Sequence, residues 1–174
     1  MARQHVAFFR NLDLGQRGSP TRAQLVEAFE AAGATDVLSV RSNGTVAFRS
    51  TAPGHTRDLA CSRLIGHTDW CDVAPVREAT WVLGLSERLS AVEGHVEVSF
   101  FDTRGDFPAA LPWRPDGGRL TVVAADRRHA IAVDDEARTS YATPALERLL
   151  GVPVTSRGAA TVLRLAGLLA ARGR

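Results

Sequence analysis

Apolar positions in the first 76 residues alternate between short strand-like runs and helical stripes. His5–Arg10 is apolar, with β-branched and aromatic content, and it stops at the polar, glycine-bearing stretch Asn11 to Gly18, which predicts a strand followed by a loop. Ser19 offers an N-cap with Pro20 at the first helical position, and Leu25, Phe29 and Ala32 continue at helical spacing until Gly33. Val37–Arg41 and Thr45–Arg49 read as two short strands joined by Ser42-Asn43-Gly44, and Asn-Gly is the pair best able to supply the positive φ angles of a tight hairpin turn. Pro53-Gly54 breaks the chain, Thr56 to Ile65 is helical through Leu59 and Leu64, and Trp70–Val76 returns to strand. The order β-α-β-β-α-β is the split unit of a ferredoxin-like sheet with two helices on one face.

The second half repeats this pattern in part. Glu78–Val92 carries Trp81, Leu85 and Leu89 every four residues, and His95–Phe101 alternates through Val96, Val98 and Phe100. Asp102–Gly118, rich in Pro, Gly and charge, is a loop long enough to be functional. Leu120–Ala125 and Ala130–Val133 make a strand pair across Asp126-Arg127-Arg128-His129, and Thr143–Leu150 and Gly158–Arg172 are helical. The expected fold class is α+β, with two ferredoxin-like lobes built on antiparallel sheets. Residues 1–76 form the first lobe and 77–174 the second.

Composition narrows the chemistry. The chain has 174 residues, 45% of them hydrophobic and 23% charged, so it can bury a core and is not a disordered or fibrous sequence. All 21 basic residues are arginine, which removes Schiff-base catalysis, pyridoxal-phosphate attachment and a phosphate-loop lysine. Two cysteines are too few for a disulfide framework, and no apolar run approaches the roughly 20 residues that span a bilayer. With no signal peptide, the expected location is the cytoplasm and no membrane partner is expected. A formal charge of +2 is too mild to indicate nucleic acid, and the single tyrosine gives little basis for stacking on single strands.

Several stretches are similar to one family. Phe8-Phe9-Arg10-Asn11-Leu12-Asp13-Leu14-Gly15 stands where an Arg-Gly-Ile-Asn-Val-Gly-Gly type loop ends the family's first strand. The helix with Leu25 and Phe29 and the segment Gly33-Ala34-Thr35-Asp36-Val37 follow the same order. Ser42-Asn43-Gly44-Thr45-Val46 stands where the family has a Ser-Gly-Asn-Val turn, with the Gly-Asn order swapped, and Leu150-Gly151 through Thr155-Ser156-Arg157-Gly158-Ala159-Ala160-Thr161-Val162 is similar to Leu-Gly followed by Thr-Thr-Arg-Asn-Trp-Asn-Thr-Val. On these residues the chain resembles a divergent member of domain-of-unknown-function family 1697. The resemblance implies a pair of ferredoxin-like lobes and carries no activity. The motif's Gly after arginine is here Asn11, its loop Asn is Asp13, and its Asn-Trp-Asn is Gly158-Ala159-Ala160.

Arginines at the ends of elements are the leading functional signal. Arg10 leaves the first strand, Arg41 enters the hairpin turn, and Arg157 precedes the last helix, where free backbone N–H groups and the dipole favour an anion. The guanidinium fork suits a carboxylate or phosphate. The expected site is an interlobe cleft taking a small anionic metabolite, a phosphorylated one among the candidates, with Arg10, Arg41 and Arg157 holding the charge. Asn11, Ser42, Asn43, Thr155, Ser156 and Thr161 would orient it. The alternative is an enzyme of small-molecule metabolism in the same cleft, using His5, His95 or a loop aspartate for proton transfer. A third reading, a protein or nucleic-acid interaction module, uses the arginines after Glu147, a segment without any acid.

Other constellations carry less. Cys61, His67 and Cys71 lack a paired finger spacing, so both thiols are expected to be free and no metal is expected. His95-Val96-Glu97 lacks the Pro-Cys-x-x-Cys partner of a zinc deaminase. The acids Asp102, Asp106, Asp116 and Asp134-Asp135-Glu136 read as solvated turns, and Ser42, Ser140 and Ser156 lack a nucleophile elbow. Gly15-Gln16-Arg17-Gly18 is neither a Walker loop nor a dinucleotide fingerprint, so no cofactor is indicated.

Overall fold

A computed structural model describes residues 1–70, 72–135 and 141–172, and divides the chain into two compact units, Met1–Val82 and Leu83–Arg174. Each carries a four-stranded antiparallel sheet with helices between its strands, so the fold is α+β with two ferredoxin-like lobes.

In the first unit, β1 (Arg3–Phe8) and β3 (Thr45–Ser50) are the central strands, flanked by β2 (Thr35–Ser39) and β4 (Val76–Glu78) in the order β2-β3-β1-β4. The expected hairpin forms, with Leu38 opposite Ala47 and Ser39 opposite Val46, and Gly44 takes φ 63° in its turn. β2 ends at Ser39, two residues earlier than its apolar pattern predicts, and Arg41 sits in the turn at φ 152°. Helix α1 (Arg22–Ala31) is capped by Thr21, not Ser19: the Thr21 hydroxyl accepts from Gln24 N at 3.2 Å and Gln24 Oε1 accepts from Thr21 N at 2.8 Å. This reciprocal pair satisfies two end donors at once, which a Ser19-Pro20 start would not. Pro53 does not break the chain but opens α2 (Pro53–Ile65) at its first turn, where its missing N–H costs nothing.

Of Trp70–Val76, expected as strand, Trp70 and residues 72–75 are irregular, and β4 begins only at Val76. Trp70 is buried because it plugs the core beside Phe9 at 5.0 Å between ring centroids, with its Nε1–H donating to Arg10 O at 2.9 Å. Phe9, Phe29 and Phe48 complete an aromatic row under α1 and α2, with Phe29 and Phe48 at 4.8 Å. Each such side chain contributes about 1.5–3 kcal/mol when fully buried.

The second unit has β5 (His95–Phe100), β6 (Leu120–Ala125), β7 (His129–Asp134) and β8 (Thr155–Gly158) in the order β6-β7-β5-β8. Helices α3 (Ala79–Leu89), α4 (Ala142–Leu150) and α5 (Ala159–Arg172) complete the chain. The long loop after β5 replaces the helix that α1 supplies in the first unit. It returns through Trp113, which bridges Val122 by N–H···O bonds of 2.9 and 2.7 Å. β8 is absent from the sequence-based order, because Thr-Ser-Arg-Gly has no apolar alternation to announce it.

The first and last strands of the two sheets match in register. Val6-Ala7-Phe8-Phe9 corresponds to Val98-Ser99-Phe100-Phe101, because Val6 lies opposite Arg77 just as Val98 lies opposite Arg157. From those arginines onward the segments share Arg-x-Ala-x-x-Val-Leu-x-Leu, at residues 77–85 and 157–165. Val82 and Leu85 are buried, as are Val162 and Leu165.

Candidate functional site

Three loops meet at one end of the first unit's sheet. Phe9 N donates to Gly44 O at 2.8 Å, Leu14 N to Ser42 O at 2.7 Å, and Arg10 N to Val73 O at 3.0 Å, which ties the segment after β1 to the hairpin turn and to the approach to β4. Within this cluster Arg10 Nη1 lies 2.6 Å from Asp72 Oδ2, and Asn11 Nδ2 donates to the same oxygen at 2.8 Å. Asp72 Oδ1 accepts from Val73 N at 2.8 Å. The Arg10 and Asp72 side chains are only 25% and 14% exposed, so the pair is partly shielded from solvent. Asn11 adopts φ 51°, a conformation unusual for a residue with a side chain, and that backbone lets consecutive side chains aim at one acceptor.

Arg41 and Ser42 stand exposed on the turn of the same cluster. Asn43 is a turn former there, its Oδ1 accepting from Thr45 Oγ1 at 3.0 Å. Five of the expected site residues thus share one loop cluster. Arg10 has a counter-charge within the cluster, because Asp72 lies 62 positions away in sequence but in contact with it.

Thr155, Ser156, Arg157 and Thr161 belong to the second unit. Arg157 does not sit in a free turn before a helix; it is the third residue of β8, only 7% exposed, and its Nη1 donates to Thr155 Oγ1 and Ser156 O, both at 2.8 Å. Pairing with β5 brings the segment into the sheet before α5 begins at Ala159. Ser156 Oγ instead joins a chain of hydroxyls, 2.8 Å from Ser99 Oγ and 2.7 Å from Thr143 Oγ1. Thr161 is half-buried in the first turn of α5.

The proton-transfer candidates His5 and His95 belong to β1 and β5. His5 is buried in the middle of β1, and burial pushes its pKa below the ordinary value, against the pull of Glu78. His95 is exposed at the start of β5. Sequence reasoning missed a further buried histidine, His129, whose Nδ1 is 2.8 Å from Asp126 Oδ1. Burial would raise the Asp126 pKa, yet the N–H groups of Arg128 and His129 and the imidazole's charge hold it below the usual range. Asp126-x-x-His129 across a hairpin was the available signal.

Cys61 is a free thiol on α2, and burial pushes its pKa up to about 11, so it is a poor nucleophile. Cys71, Glu136 and Ser140 lie outside the described residues. Among the described residues, no cluster of three or more His, Cys, Asp and Glu is placed to hold a metal, and no helix is long and apolar enough to cross a membrane.

No family model matches the chain, and no curated protein matches it. It is similar in fold to a conserved bacterial protein of solved structure, SP0830 from Streptococcus pneumoniae, with a TM-score of 0.66 and 14% identity over 97% of this chain and 99% of that one. A likeness at that identity concerns the fold alone.

Proposed function

We propose that this chain is a divergent relative of domain-of-unknown-function family 1697, and that it is a cytoplasmic protein binding a small anionic metabolite at the loop end of its first unit. The observation that carries the reading is the convergence of Arg10 Nη1 and Asn11 Nδ2 on one oxygen of Asp72. Two neighbouring side chains form a donor fork of the kind that holds a carboxylate or phosphate, and here an internal carboxylate fills it. Arg41 and Ser42, exposed on the adjoining turn, offer a guanidinium and a hydroxyl to an incoming anion. The backbone of Arg41, at φ 152°, is the strained kind that persists where surrounding structure holds it. On binding, the ligand competes with Asp72 for Arg10 and Asn11, while Arg41 and Ser42 take its outer oxygens and Asn43 keeps the turn in shape. The role is one of binding, with no proton-transfer group assigned.

A thermal-shift titration with inorganic phosphate at constant ionic strength tests this. Ligand that binds only the folded chain raises the melting temperature by linkage. The wild type should be stabilised, Arg41→Ala should lose most of the effect, and Arg157→Ala should respond as the wild type does. A wild type indifferent to phosphate, or an Arg41→Ala variant responding in full, overturns the reading.

A further inference from the structure

The second unit contains a pocket of about 340 Å³ between α4 and the end of the long β5–β6 loop. Its existence follows from the fold. In the first unit α1 lies against α2, whereas the equivalent of α1 is missing from the second, so the flank of α4 is met by a loop and a space is left. Small-molecule sites commonly begin at about 300 Å³.

One wall is a single face of α4 and its cap, because Tyr141, Pro144, Ala145 and Arg148 follow one another at i, i+3, i+4 and i+7. Tyr141 and Arg148 therefore stand about 10 Å apart along the helix axis, at 1.5 Å per residue. The other wall is the turn Pro115 to Gly118, closed by Gly118 N donating to Pro115 O at 2.8 Å. A Cβ at Gly118 would collide with Pro115, so this wall has no room for a larger residue. Arg119 borders the pocket but is already engaged within the protein. Arg148 forms no ion pair among the described residues, and Tyr141 is 38% exposed.

We propose that this pocket binds a small aromatic carboxylate. Its carboxylate pairs with the Arg148 guanidinium and its ring lies along Pro144 and Ala145 toward Tyr141, against Pro115. Asp116 also borders the pocket and opposes a second negative charge, which disfavours dianions such as phosphate monoesters. The site is independent of the anion fork of the first unit and shares no residue with it.

Titration of the full chain with sodium benzoate, followed by calorimetry or ligand-observed NMR, tests the assignment. The wild type should bind one equivalent saturably, Arg148→Ala should weaken binding about tenfold or more, and Tyr141→Ala should weaken it severalfold. Arg41→Ala should leave benzoate binding unchanged while removing the phosphate response. Unchanged benzoate affinity in Arg148→Ala overturns the proposal, as does loss of benzoate binding in Arg41→Ala, which would assign the carboxylate to the first unit. A wild type that shows no saturable binding overturns it as well.

Discussion

Replacing Asp72 by alanine removes the acceptor that the Arg10–Asn11 fork was built around, and the structure sets the size of the effect. Three donors lose this acceptor at once: Arg10 Nη1 at 2.6 Å, Asn11 Nδ2 at 2.8 Å and Val73 N at 2.8 Å. A fully exposed ion pair is worth about 0.2–1 kcal/mol, whereas breaking a buried pair costs about 3–5 kcal/mol. At 25% and 14% side-chain exposure the Arg10–Asp72 pair lies between these limits, nearer the buried one for the carboxylate. Asp72→Ala should therefore cost about 2 kcal/mol, allowing for the hydrogen bonds that water restores to the donors. Asp72→Asn, which keeps an acceptor oxygen and loses the charge, should cost about half as much. Urea unfolding of Asp72→Ala, Arg10→Ala and the double variant measures the coupling, expected at about 1 kcal/mol. Adding phosphate separates the fold from the site: with its internal competitor gone, Asp72→Ala should gain more in melting temperature from phosphate than the wild type does. A coupling near zero would show that the pair is solvated and that the fork holds nothing, which refutes the reasoning.

Two further substitutions test local geometry and titration. Gly44 and Gly151 have nearly the same φ, 63° and 66°, but a Cβ at Gly44 would meet Phe9 Cβ at 2.7 Å and Leu12 Cβ at 2.9 Å while one at Gly151 meets nothing within 4 Å. Gly151→Ala should cost about 1 kcal/mol of backbone strain and Gly44→Ala about 1–3 kcal/mol more from crowding, and equal losses in urea unfolding would show that the turn yields freely. His5 keeps its imidazole neutral in the folded chain at pH values where the unfolded chain, with an ordinary value of 6.5, already takes up a proton. The unfolded state thus binds more protons below pH 6.5, so stability falls as pH drops into that window. His5→Gln should show a smaller fall in melting temperature between about pH 7.5 and 5.5, and parallel profiles would exclude His5 as a contributor.

What was legible in the sequence was local. Asn43-Gly44 placed the first hairpin because a positive φ at Gly44 is a property of the turn itself, and the helices announced themselves through stripes such as Leu25 and Phe29. The gap in the second unit was legible too, since the Pro- and Gly-rich stretch after β5 has no helical period. Segments whose state depends on distant partners were misread. Trp70 looks like a strand residue, yet its burial comes from Phe9 and from the carbonyl of Arg10, 60 positions away. Thr155–Gly158 looks like a helix approach, yet β5 recruits it as an edge strand. The Arg10–Asp72 contact had no sequence signal for the same reason.

Correspondence between the units separates scaffold from candidate function. Arg157, a ligand candidate by sequence, has a counterpart in Arg77: both lie opposite a valine of the central strand, both are buried, and both donate Nη1 to the preceding residue's carbonyl at 2.8 Å. A group repeated in both units at the same register belongs to what makes the sheet and its following helix. Arg10 has no such counterpart, since the matching position is Asp102, and the next, Asn11, corresponds to Thr103, whose hydroxyl is spent on Gly105 O at 2.8 Å. The pocket beside α4 is likewise confined to the unit that lacks a counterpart of α1. Chemistry present in only one unit is not required by the shared fold, and that is the physical ground for seeking ligands at the Arg10–Asn11 fork and along the Tyr141–Arg148 face rather than at Arg157.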